Sequence, residues 1–384
     1  MKRVCIVRQK YWPNKNVVRN AEALVSQGYE VDVIALREKG EKRQETIRGV
    51  NVYRLPLAFH RGSLLRYIFQ YCAFFFLFAW KLSRLSLKKR YDVVEIDNMP
   101  DFLVFSTIFP RLLGTKVILY LYENMPELFA STFKKGPNHI GTKLLRLMER
   151  LSAGYAHHVI VADGPLYKRV LESHGVPSEK ITVVLNVPDD QIFDSKSPPT
   201  PKGDDGFRLI THSTILKRYG VQTLIRAMPL LLKDIPELKV DVLGDGDYRP
   251  ELEKLARELG VAEHIHFTGW VSFKGVPSFI AQADIGVVSM IDDVGLPNKL
   301  FEYFALGKPC VASALPSLTY TFDDNYMLFY RPDDEKGLAA QITELYRSPE
   351  KRAYLGSNGQ AFYRNCDWQI TKHEYLNVYE ELLT

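Results

Sequence analysis

The sequence predicts a two-domain α/β protein in which each domain contains a parallel β-sheet covered by helices. The chain has 384 residues, a length that suits two domains. In both halves, short apolar runs alternate with helix-like stretches, which is typical of a parallel sheet with helices on both faces. Residues 194–206 include the segment SKSPPTPKGDDG, whose prolines, glycines and charges cannot build a packed element. We therefore expect a linker there.

The first half, residues 1–193, is predicted to contain strands separated by helices. Each strand is a short, mostly apolar run, as expected for a strand buried on both faces. The predicted strands are Val4–Val7, Val31–Leu36, Val50–Leu55, Val93–Ile96, Lys116–Leu121, His158–Ala162 and Ile181–Leu185. The predicted helices are Val17–Gln27, an aromatic segment near residues 64–84, Asp101–Leu113, Lys143–Tyr155 and Pro165–His174.

The second half repeats this pattern. Its predicted strands, with helices between them, are Phe207–Thr211, Lys239–Leu243, His266–Thr268, Ile285–Val288 and Cys310–Ser313. The chain ends in a predicted helix, Ile370–Leu383, whose apolar residues recur with helical spacing. Ligands of such sheets bind beyond the carboxyl ends of the strands. The loops that follow the strands are therefore the candidate functional segments.

Composition and charge exclude several classes of protein. With 46% hydrophobic and 25% charged residues, the chain has the composition of an ordinary globular protein. A net charge of +5 is mild, and no nucleic-acid-binding motif is visible, so we expect no nucleic-acid partner. The four cysteines are far apart, without metal or disulfide spacing, so we expect no bound metal and a reducing cytoplasm. The first apolar run is too short for a signal-peptide core.

An aromatic segment, Ile68–Trp80, reads IFQYCAFFFLFAW and is too short to span a bilayer. Between Arg61 and Arg90 there are seven arginines and lysines and no acidic residue. Aromatic bulk with basic flanks suits a helix that lies on an anionic membrane surface, near residues 64–84. The alternative is a helix buried against a sheet, with a solvated basic end.

The segment Gly295–Pro309 is the most informative part of the chain. Glycine and proline suit a tight loop and a helix start, and Gly307 suits the helix end. A helix N-terminus offers N–H groups and partial positive charge to a diphosphate, and Lys299 in the first turn adds a full charge. Glu302 lies one turn further on the same face, where its carboxylate can accept hydrogen bonds from a ribose diol. The alternative is a core helix with a surface lysine and a capping glutamate.

This segment resembles the donor-binding motif of family 4 glycosyltransferases, which have the GT-B fold, in the branch that reads Pro-x-Lys-x-x-Glu-Tyr. The resemblance covers nearly the whole chain and is strongest from Leu209 to Leu383. It implies that Glu302 holds the nucleotide ribose. It also implies that Lys299 and the amides around it hold the diphosphate, so the predicted donor residues here include Pro297, Asn298 and Leu300.

Three further segments are predicted to contact the donor. Gly244 and Gly246 follow a strand, and in the resembling family the matching Gly-Asp-Gly sits beside the nucleotide; the alternative is a plain tight turn. The backbone around Val271 resembles the family segment that contacts the base. Lys217 and Arg218 follow the first strand of the second half and could hold phosphate oxygens; the alternative is a solvated basic turn.

Two loops of the first half are predicted to form the acceptor side. They follow the strands that end near Ile96 and Leu121. The acceptor-side residues are expected to be Asp97, Asn98 and Asn124, although asparagines there are equally suited to turns. Tyr122 stands where relatives usually have a histidine near the reacting sugar, and Glu123 follows it. These two are the predicted catalytic residues, with the reservation that a phenol is a poor base near neutral pH.

The resemblance implies the whole architecture and activity. We expect two Rossmann-like domains that face each other across a cleft: an acceptor domain at 1–193, a nucleotide-sugar domain at 207–366, and a helix at 367–384 that crosses back to the first domain. The expected reaction moves a sugar, with retention, from a nucleoside diphosphate sugar, UDP ahead of GDP, to a saccharide or lipid-linked saccharide in cell-surface polysaccharide synthesis. No cofactor is expected, and the setting is the inner face of the cell membrane. Alternatives are a nucleotide-sugar epimerase and a nucleotide-sugar-binding protein with a degenerate site.

Overall fold

The computed structural model describes residues 1–11, 15–57, 64–98, 100–136, 138–193 and 206–384. The chain divides into two compact units. The first is Met1–Asn186 with Thr371–Thr384, and the second is Val187–Ile370. Of the predicted linker at 194–206, all but Gly206 lies outside the described residues.

The first unit is built on an eight-stranded sheet. Its strands are β1 (Arg3–Val7), β2 (Glu30–Leu36), β3 (Gln44–Ile47), β4 (Val50–Leu55), β5 (Val93–Asp97), β6 (Lys116–Leu121), β7 (His158–Val161) and β8 (Ile181–Val183). They are ordered β3-β4-β2-β1-β5-β6-β7-β8, and every neighbouring pair is parallel except β3 with β4. The antiparallel edge strand β3, of sequence QETI, was not predicted because it has no apolar run.

The helices of the first unit connect these strands. They are α1 (Lys15–Ser26), α2 (Leu64–Lys89), α3 (Ile108–Leu112), α4 (Met125–Phe133), α5 (Ile140–Tyr155) and α6 (Pro165–Ser173). The predicted helix Asp101–Leu113 is instead a 3₁₀ helix, Asp101–Thr107, followed by the short α3. The unpredicted α4 begins after Asn124, whose side-chain oxygen accepts a hydrogen bond from the Glu127 amide.

The second unit is built on a six-stranded parallel sheet, ordered β11-β10-β9-β12-β13-β14. Its strands are β9 (Arg208–His212), β10 (Lys239–Leu243), β11 (Ile265–Gly269), β12 (Ile285–Val288), β13 (Cys310–Ser313) and β14 (Leu328–Tyr330). Its helices are α7 (Val221–Asp234), α8 (Arg249–Glu258), α9 (Val276–Gln282), α10 (Asn298–Ala305), α11 (Pro316–Thr321), α12 (Glu335–Arg347), α13 (Pro349–Arg364) and the start of α14 (Trp368–Leu383). The predicted two-sheet α/β architecture is confirmed.

The sheet of the first unit is covered on both faces. The helices α2, α5 and α6 pack against the face that carries Cys5 and Val7. Glu95 lies on β5 between residues of that face, so its side chain points to the opposite face. There, the Tyr379 hydroxyl of α14 donates a hydrogen bond to Glu95 Oε2 at 2.7 Å. From Thr371 onward, α14 therefore completes the core of the first unit.

The aromatic helix α2 has a buried side and an exposed side. Phe74 and Phe78 are fully buried, whereas Phe69 and Phe76 are about 70% exposed. One face of the helix is therefore core, as the buried alternative predicts, and the other meets solvent; contact with a membrane surface stays a prediction. Within the described ranges, no helix is both long enough and apolar enough to cross a membrane.

Candidate functional site

The helix α10 begins where its sequence predicts. Pro297 has extended backbone angles (φ −76°, ψ 127°) and precedes the first helical residue, Asn298, which is exposed. The amide of Leu300 donates to the Pro297 carbonyl at 3.0 Å, and the Leu300 side chain is fully buried. Leu300 therefore anchors the helix in the core, and Pro297 and Asn298 form its solvent-facing start.

Lys299 is buried in the first turn of α10, with 5% of its surface exposed. Its Nζ donates to Thr211 Oγ1 at 3.2 Å, and in the described part of the chain it forms no ion pair. Burial lowers the pKa of Lys299 from 10.5 to about 8, although Glu302 acts in the opposite direction. The alternative of a surface lysine on a core helix is therefore wrong. A buried cation with a single neutral partner is suited to a bound anion.

Glu302 is also buried, and it is paired with a residue that was not predicted. His212, at the end of β9, approaches Glu302 Oε2 with its Nε2 at 2.7 Å. The other ring nitrogen of His212 lies 3.1 Å from the Tyr303 hydroxyl. His212 is 90 residues from Glu302 in sequence, and a single histidine after a strand carries no spacing signal. Glu302 does not cap its helix; its carboxylate is held by β9.

The loops that follow β9, β10 and β12 pack so closely that Gly220, Gly244 and Gly246 leave no room for a side chain. A Cβ on Gly244 (φ +119°) would lie 1.9 Å from the Ser213 carbonyl oxygen, and one on Gly220 (φ +70°) would lie 1.6 Å from the Ser289 carbonyl oxygen. A side chain at either position is excluded. A Cβ on Gly246 would also collide, at 2.4 Å from a backbone oxygen. These glycines therefore have a packing role, whether or not a nucleotide lies beside them.

The basic turn after β9 is a short 3₁₀ helix, Lys217–Tyr219. Lys217 is exposed, and the guanidinium of Arg218 lies over the ring of Tyr219, 5.4 Å from its centre. The Arg218 carbonyl accepts a hydrogen bond from the Ile291 amide at 2.9 Å, so this turn is joined to the loop that leads to α10. Val271 follows β11 at the sheet edge and is half-buried.

The loop before α10 is fixed by a carboxylate. Asp293 accepts hydrogen bonds from the amides of Gly295, at 3.4 Å, and Ser317, at 2.9 Å. The first bond closes the turn that carries Gly295 (φ +104°), and the second joins the loop to the start of α11. Asp293 therefore shapes the approach to the helix start.

On the first unit, Tyr122 lies in a polar cluster at the carboxyl end of β6. Its ring stacks on Tyr120 with centres 4.1 Å apart, and the Arg8 guanidinium lies 4.2 Å from the ring centre. The Asn20 side-chain amide donates to the Tyr122 hydroxyl at 3.2 Å. Burial, then the neighbouring Tyr120, raise the pKa of Tyr122 well above its ordinary value. Tyr122 therefore stays protonated and can donate a hydrogen bond, but it cannot act as a base.

Asp97 and Glu95 form a buried acidic pair on β5. Arg8 Nη1 contacts Asp97 Oδ2 at 2.9 Å, which joins Asp97 to the same cluster as Tyr122. Burial, followed by repulsion from Asp97, raises the pKa of Glu95 well above its ordinary value. The pKa of Asp97 is also raised by burial, against the opposing effect of Arg8. Asp97 is thus a compensated charge with little exposed surface.

The two predicted asparagine ligands have internal partners. The Asn98 oxygen accepts from the amides of Tyr122 and Glu123, at 2.9 and 3.3 Å, and its nitrogen donates to Asp101 and to the Glu123 carbonyl. Asn124 caps α4. The turn alternative therefore accounts for both asparagines, and Glu123 is positioned by Asn98. Within the described ranges, no group of three potential metal ligands lies together.

Two family models match the chain. Residues 13–186 match the glycosyl transferase 4-like domain, and residues 193–362 match the glycosyl transferases group 1 model. An uncharacterized glycosyltransferase of Methanocaldococcus jannaschii is 25% identical over 372 residues, which cover 94% of this chain and 92% of that protein. The two matches and this relative together span both halves.

One relative and one solved structure add detail. The lipopolysaccharide core biosynthesis glycosyltransferase LpsD of Rhizobium meliloti is 32% identical over 170 residues, 42% of this chain and 47% of that protein. The structure of HepE from Anabaena in complex with UDP-glucose has a TM-score of 0.73 and 15% identity, and it covers 99% of this chain and 100% of that one. Similarity at this level of identity establishes the shared fold.

Proposed function

We propose that this chain, which belongs to the GT-B glycosyltransferases of group 1, transfers a sugar from a nucleoside diphosphate sugar to a saccharide acceptor. The observation that carries the proposal is the buried pair Lys299 and Glu302 at the start of α10, beyond the carboxyl end of β9. Helix N-termini attract phosphate, and a carboxylate one turn further matches a ribose diol.

The diphosphate is the group that the helix start stabilises. During sugar transfer, negative charge accumulates on the departing nucleoside diphosphate. Lys299 supplies the nearest full positive charge, and Lys217 and Arg218 supply further charge from the turn joined to the same loop. An anion bound there compensates Lys299, whose one hydrogen-bond partner in the described part of the chain is a hydroxyl. The positive charge of Lys299 and the negative charge of the departing diphosphate therefore stabilise each other.

The expected donor is a UDP-sugar, and the expected outcome is retention at the anomeric carbon. The UDP-glucose complex of HepE supports a UDP-sugar, and the lipopolysaccharide role of LpsD supports a saccharide acceptor. On the first unit, Tyr122 and Glu123 would face the reacting sugars, with Tyr122 as a hydrogen-bond donor. Because Tyr122 remains protonated, the acceptor proton would pass to Glu123 or to the departing phosphate.

Ligand binding tests the donor site directly. We expect UDP or GDP at a hundred times its dissociation constant to raise Tm by about 5–10 °C. Glu302→Ala should abolish most of this shift, whereas Glu251→Ala, which removes an exposed carboxylate from α8, should not. Equal shifts in all three proteins would exclude the ribose role of Glu302. Incubation with a UDP-sugar and no acceptor separates transfer from epimerisation, because an epimerase needs no acceptor.

A membrane surface is the proposed second partner, in keeping with a lipid-linked acceptor at the inner face of the cell membrane. The exposed side of α2 carries a stripe of large apolar residues. Further exposed apolar residues lie on α3 and on α5, and α5 covers the same face of the sheet as α2. Among the described residues of these helices, the exposed large apolar residues are Phe69, Phe76, Trp80 and Leu87 on α2, Ile108, Phe109 and Leu112 on α3, and Ile140, Leu144, Leu147 and Leu151 on α5.

The charges of this region match an anionic surface. Among the described residues from 69 to 155, every acidic residue is buried or half-buried, and the partly accessible carboxylate of Glu127 is paired with Arg146 at 3.1 Å. The exposed basic residues are Arg84, Lys88, Arg90, Lys116, Lys134, Lys135, Lys143 and Arg150. A stripe of apolar side chains with basic neighbours binds anionic lipid both by burying apolar surface and by electrostatic attraction. The proposed membrane face is therefore wider than the aromatic helix predicted from sequence.

Vesicle binding tests this face. The chain should bind vesicles that contain phosphatidylglycerol, and binding should weaken at high salt and be absent with phosphatidylcholine alone. Phe69→Ser with Phe76→Ser should reduce binding without loss of fold, because both side chains are exposed; Phe74 must be kept, since it is fully buried. Trp270→Ser, at an exposed tryptophan of the second unit, is the matched control. Equal binding to vesicles with and without phosphatidylglycerol would exclude this face as a site for anionic lipid.

A further inference from the structure

We propose that His212 and Tyr303 form a positioning pair that holds the Glu302 carboxylate in the orientation that a ribose diol requires; this inference rests on the proposed function. The sequence carries no signal for His212, and Tyr303 is the residue that follows Glu302 in the Pro-x-Lys-x-x-Glu-Tyr motif. The pair would make the site specific for ribonucleotides, as opposed to nucleotides that lack the 2′ and 3′ hydroxyls.

The three side chains form one continuous hydrogen-bonded chain. His212 Nε2 lies 2.7 Å from Glu302 Oε2, His212 Nδ1 lies 3.1 Å from the Tyr303 hydroxyl, and the Tyr303 hydroxyl lies 3.3 Å from the Ile210 carbonyl oxygen. The rings of His212 and Tyr303 meet edge to face, with centres 5.3 Å apart. His212 and Glu302 expose only 13% and 8% of their side chains. This arrangement joins β9 to α10.

The direction of each hydrogen bond follows from the chemistry of the groups. An ionised Glu302 can only accept, so His212 Nε2 must carry the hydrogen. In neutral His212, Nδ1 is then an acceptor, and the Tyr303 hydroxyl donates to it. If Tyr303 donates to the Ile210 carbonyl instead, Nδ1 must also be protonated and His212 is an imidazolium. In both states an N–H points from His212 to Glu302.

This N–H fixes the carboxylate for a bound ribose. It occupies one lone-pair direction of Oε2 and leaves Oε1, which accepts no hydrogen bond within the described part of the chain, for the ligand. Without the N–H, the Glu302 carboxylate would be free to rotate away from this orientation.

Nucleotides that lack the ribose hydroxyls give a test that separates a loss of Glu302 positioning from a general loss of nucleotide binding. The dissociation constants of UDP and 2′,3′-dideoxy-UDP, and of the corresponding GDP pair, are measured by calorimetry on the intact chain. Wild type should bind the ribonucleotide at least tenfold more tightly. Gln at position 212 can place an N–H where Nε2 stands, whereas Asn reaches only toward Tyr303. His212→Gln should therefore keep most of this preference, and His212→Asn should lose it while its affinity for the dideoxynucleotide changes less than twofold.

Two further variants complete the design. His266→Leu removes a histidine that pairs with Asp241 on the same sheet, at 3.2 Å, and should leave the preference unchanged. Tyr303→Phe should reduce the ribose preference less than His212→Asn. Without the Tyr303 hydroxyl, Nδ1 loses its partner, but the contact with Glu302 still favours the form of His212 that has its N–H at Nε2. Circular dichroism and Tm confirm that each variant is folded before binding is measured.

The outcomes distinguish this inference from the proposed function. Retention of the full ribose preference by His212→Asn, or equal losses for both nucleotides, would overturn the positioning role and leave nucleotide binding intact. A wild type that binds nucleotide without preferring the ribose would remove the role of Glu302 as well. A wild type that binds neither UDP nor GDP would overturn the proposed function itself.

Discussion

Replacement of Lys299 by methionine should stabilise the ligand-free protein and at the same time weaken nucleotide binding. The pKa of Lys299 falls from 10.5 to about 8 on folding. Because one pH unit corresponds to about 1.4 kcal/mol, keeping this side chain charged in the folded state at pH 7 costs about 3 kcal/mol. Loss of the hydrogen bond to Thr211 removes about 1 kcal/mol of stabilisation. The net gain in the free energy of unfolding is then about 2 kcal/mol.

The pH dependence of this gain follows from the direction of the pKa change. Below pH 8, Lys299 is charged in both the folded and the unfolded state, so the cost is complete. Between pH 8 and 10.5 the folded state releases its proton first, and wild type recovers its stability relative to Lys299→Met. Thermal unfolding should show a Tm about 4–8 °C higher for the variant at pH 7 and a smaller difference at pH 10.

Nucleotide affinity should change in the opposite direction. A hydrogen bond from a charged donor to phosphate contributes about 1.5–3 kcal/mol, so Lys299→Met should weaken UDP or GDP binding by about ten- to a hundredfold. Two results would refute the reasoning: a Tm of Lys299→Met at pH 7 that is lower than that of wild type, or a nucleotide affinity of Lys299→Met equal to that of wild type. The first result would mean that Lys299 is compensated within the protein, and the second that the diphosphate lies elsewhere.

Three other substitutions should have effects of known direction. Nucleotide affinity of wild type should fall by up to about tenfold per pH unit above pH 8, while Lys299→Arg, which stays charged, should show a flat profile by calorimetry. Gly220 and Gly260 both have φ near +70°, but only a side chain at Gly220 would collide with a carbonyl oxygen, that of Ser289. In urea titrations, Gly220→Ala should therefore lower the free energy of unfolding by at least about 2 kcal/mol more than Gly260→Ala does. Burial raises the pKa of Asp101 from 3.8 to about 7, so wild-type stability should decline from pH 4 to pH 7, and Asp101→Asn should reduce that decline.

The sequence predicted the buried strands because they are short apolar runs between turn residues. The predicted bounds of β4, β6, β10, β12 and β13 match those in the structure. The missed elements lack that signal. The strand β3 alternates exposed and half-buried residues at the sheet edge, β14 has only three residues, and α4 is a nine-residue helix with proline in its first turn. Their formation depends on neighbours that local patterns do not contain.

For the candidate site, the sequence identified the residues whose chemistry is concentrated in one segment. Lys299 and Glu302 lie within one helical turn, so their shared face follows from helical geometry. His212 could not be found in that way, because its contact with Glu302 depends on how β9 and α10 pack. The internal role of Asn98 was equally hidden, since its partners come from a different loop.

The two buried charge clusters differ in how they are compensated, and this difference indicates which of them awaits an anion. On the first unit, the cation Arg8 pairs with Asp97, and Tyr379 donates to the neighbouring Glu95. The buried atoms of that cluster that have no hydrogen-bond partner, Glu95 Oε1 and Asp97 Oδ1, are acceptors and not cations. On the second unit, the Thr211 hydroxyl is the one hydrogen-bond partner of Lys299 among the described residues, and burial lowers the pKa of Lys299. A folded chain retains such a cost when a ligand relieves it. A buried lysine with so little compensation therefore gains from a bound diphosphate.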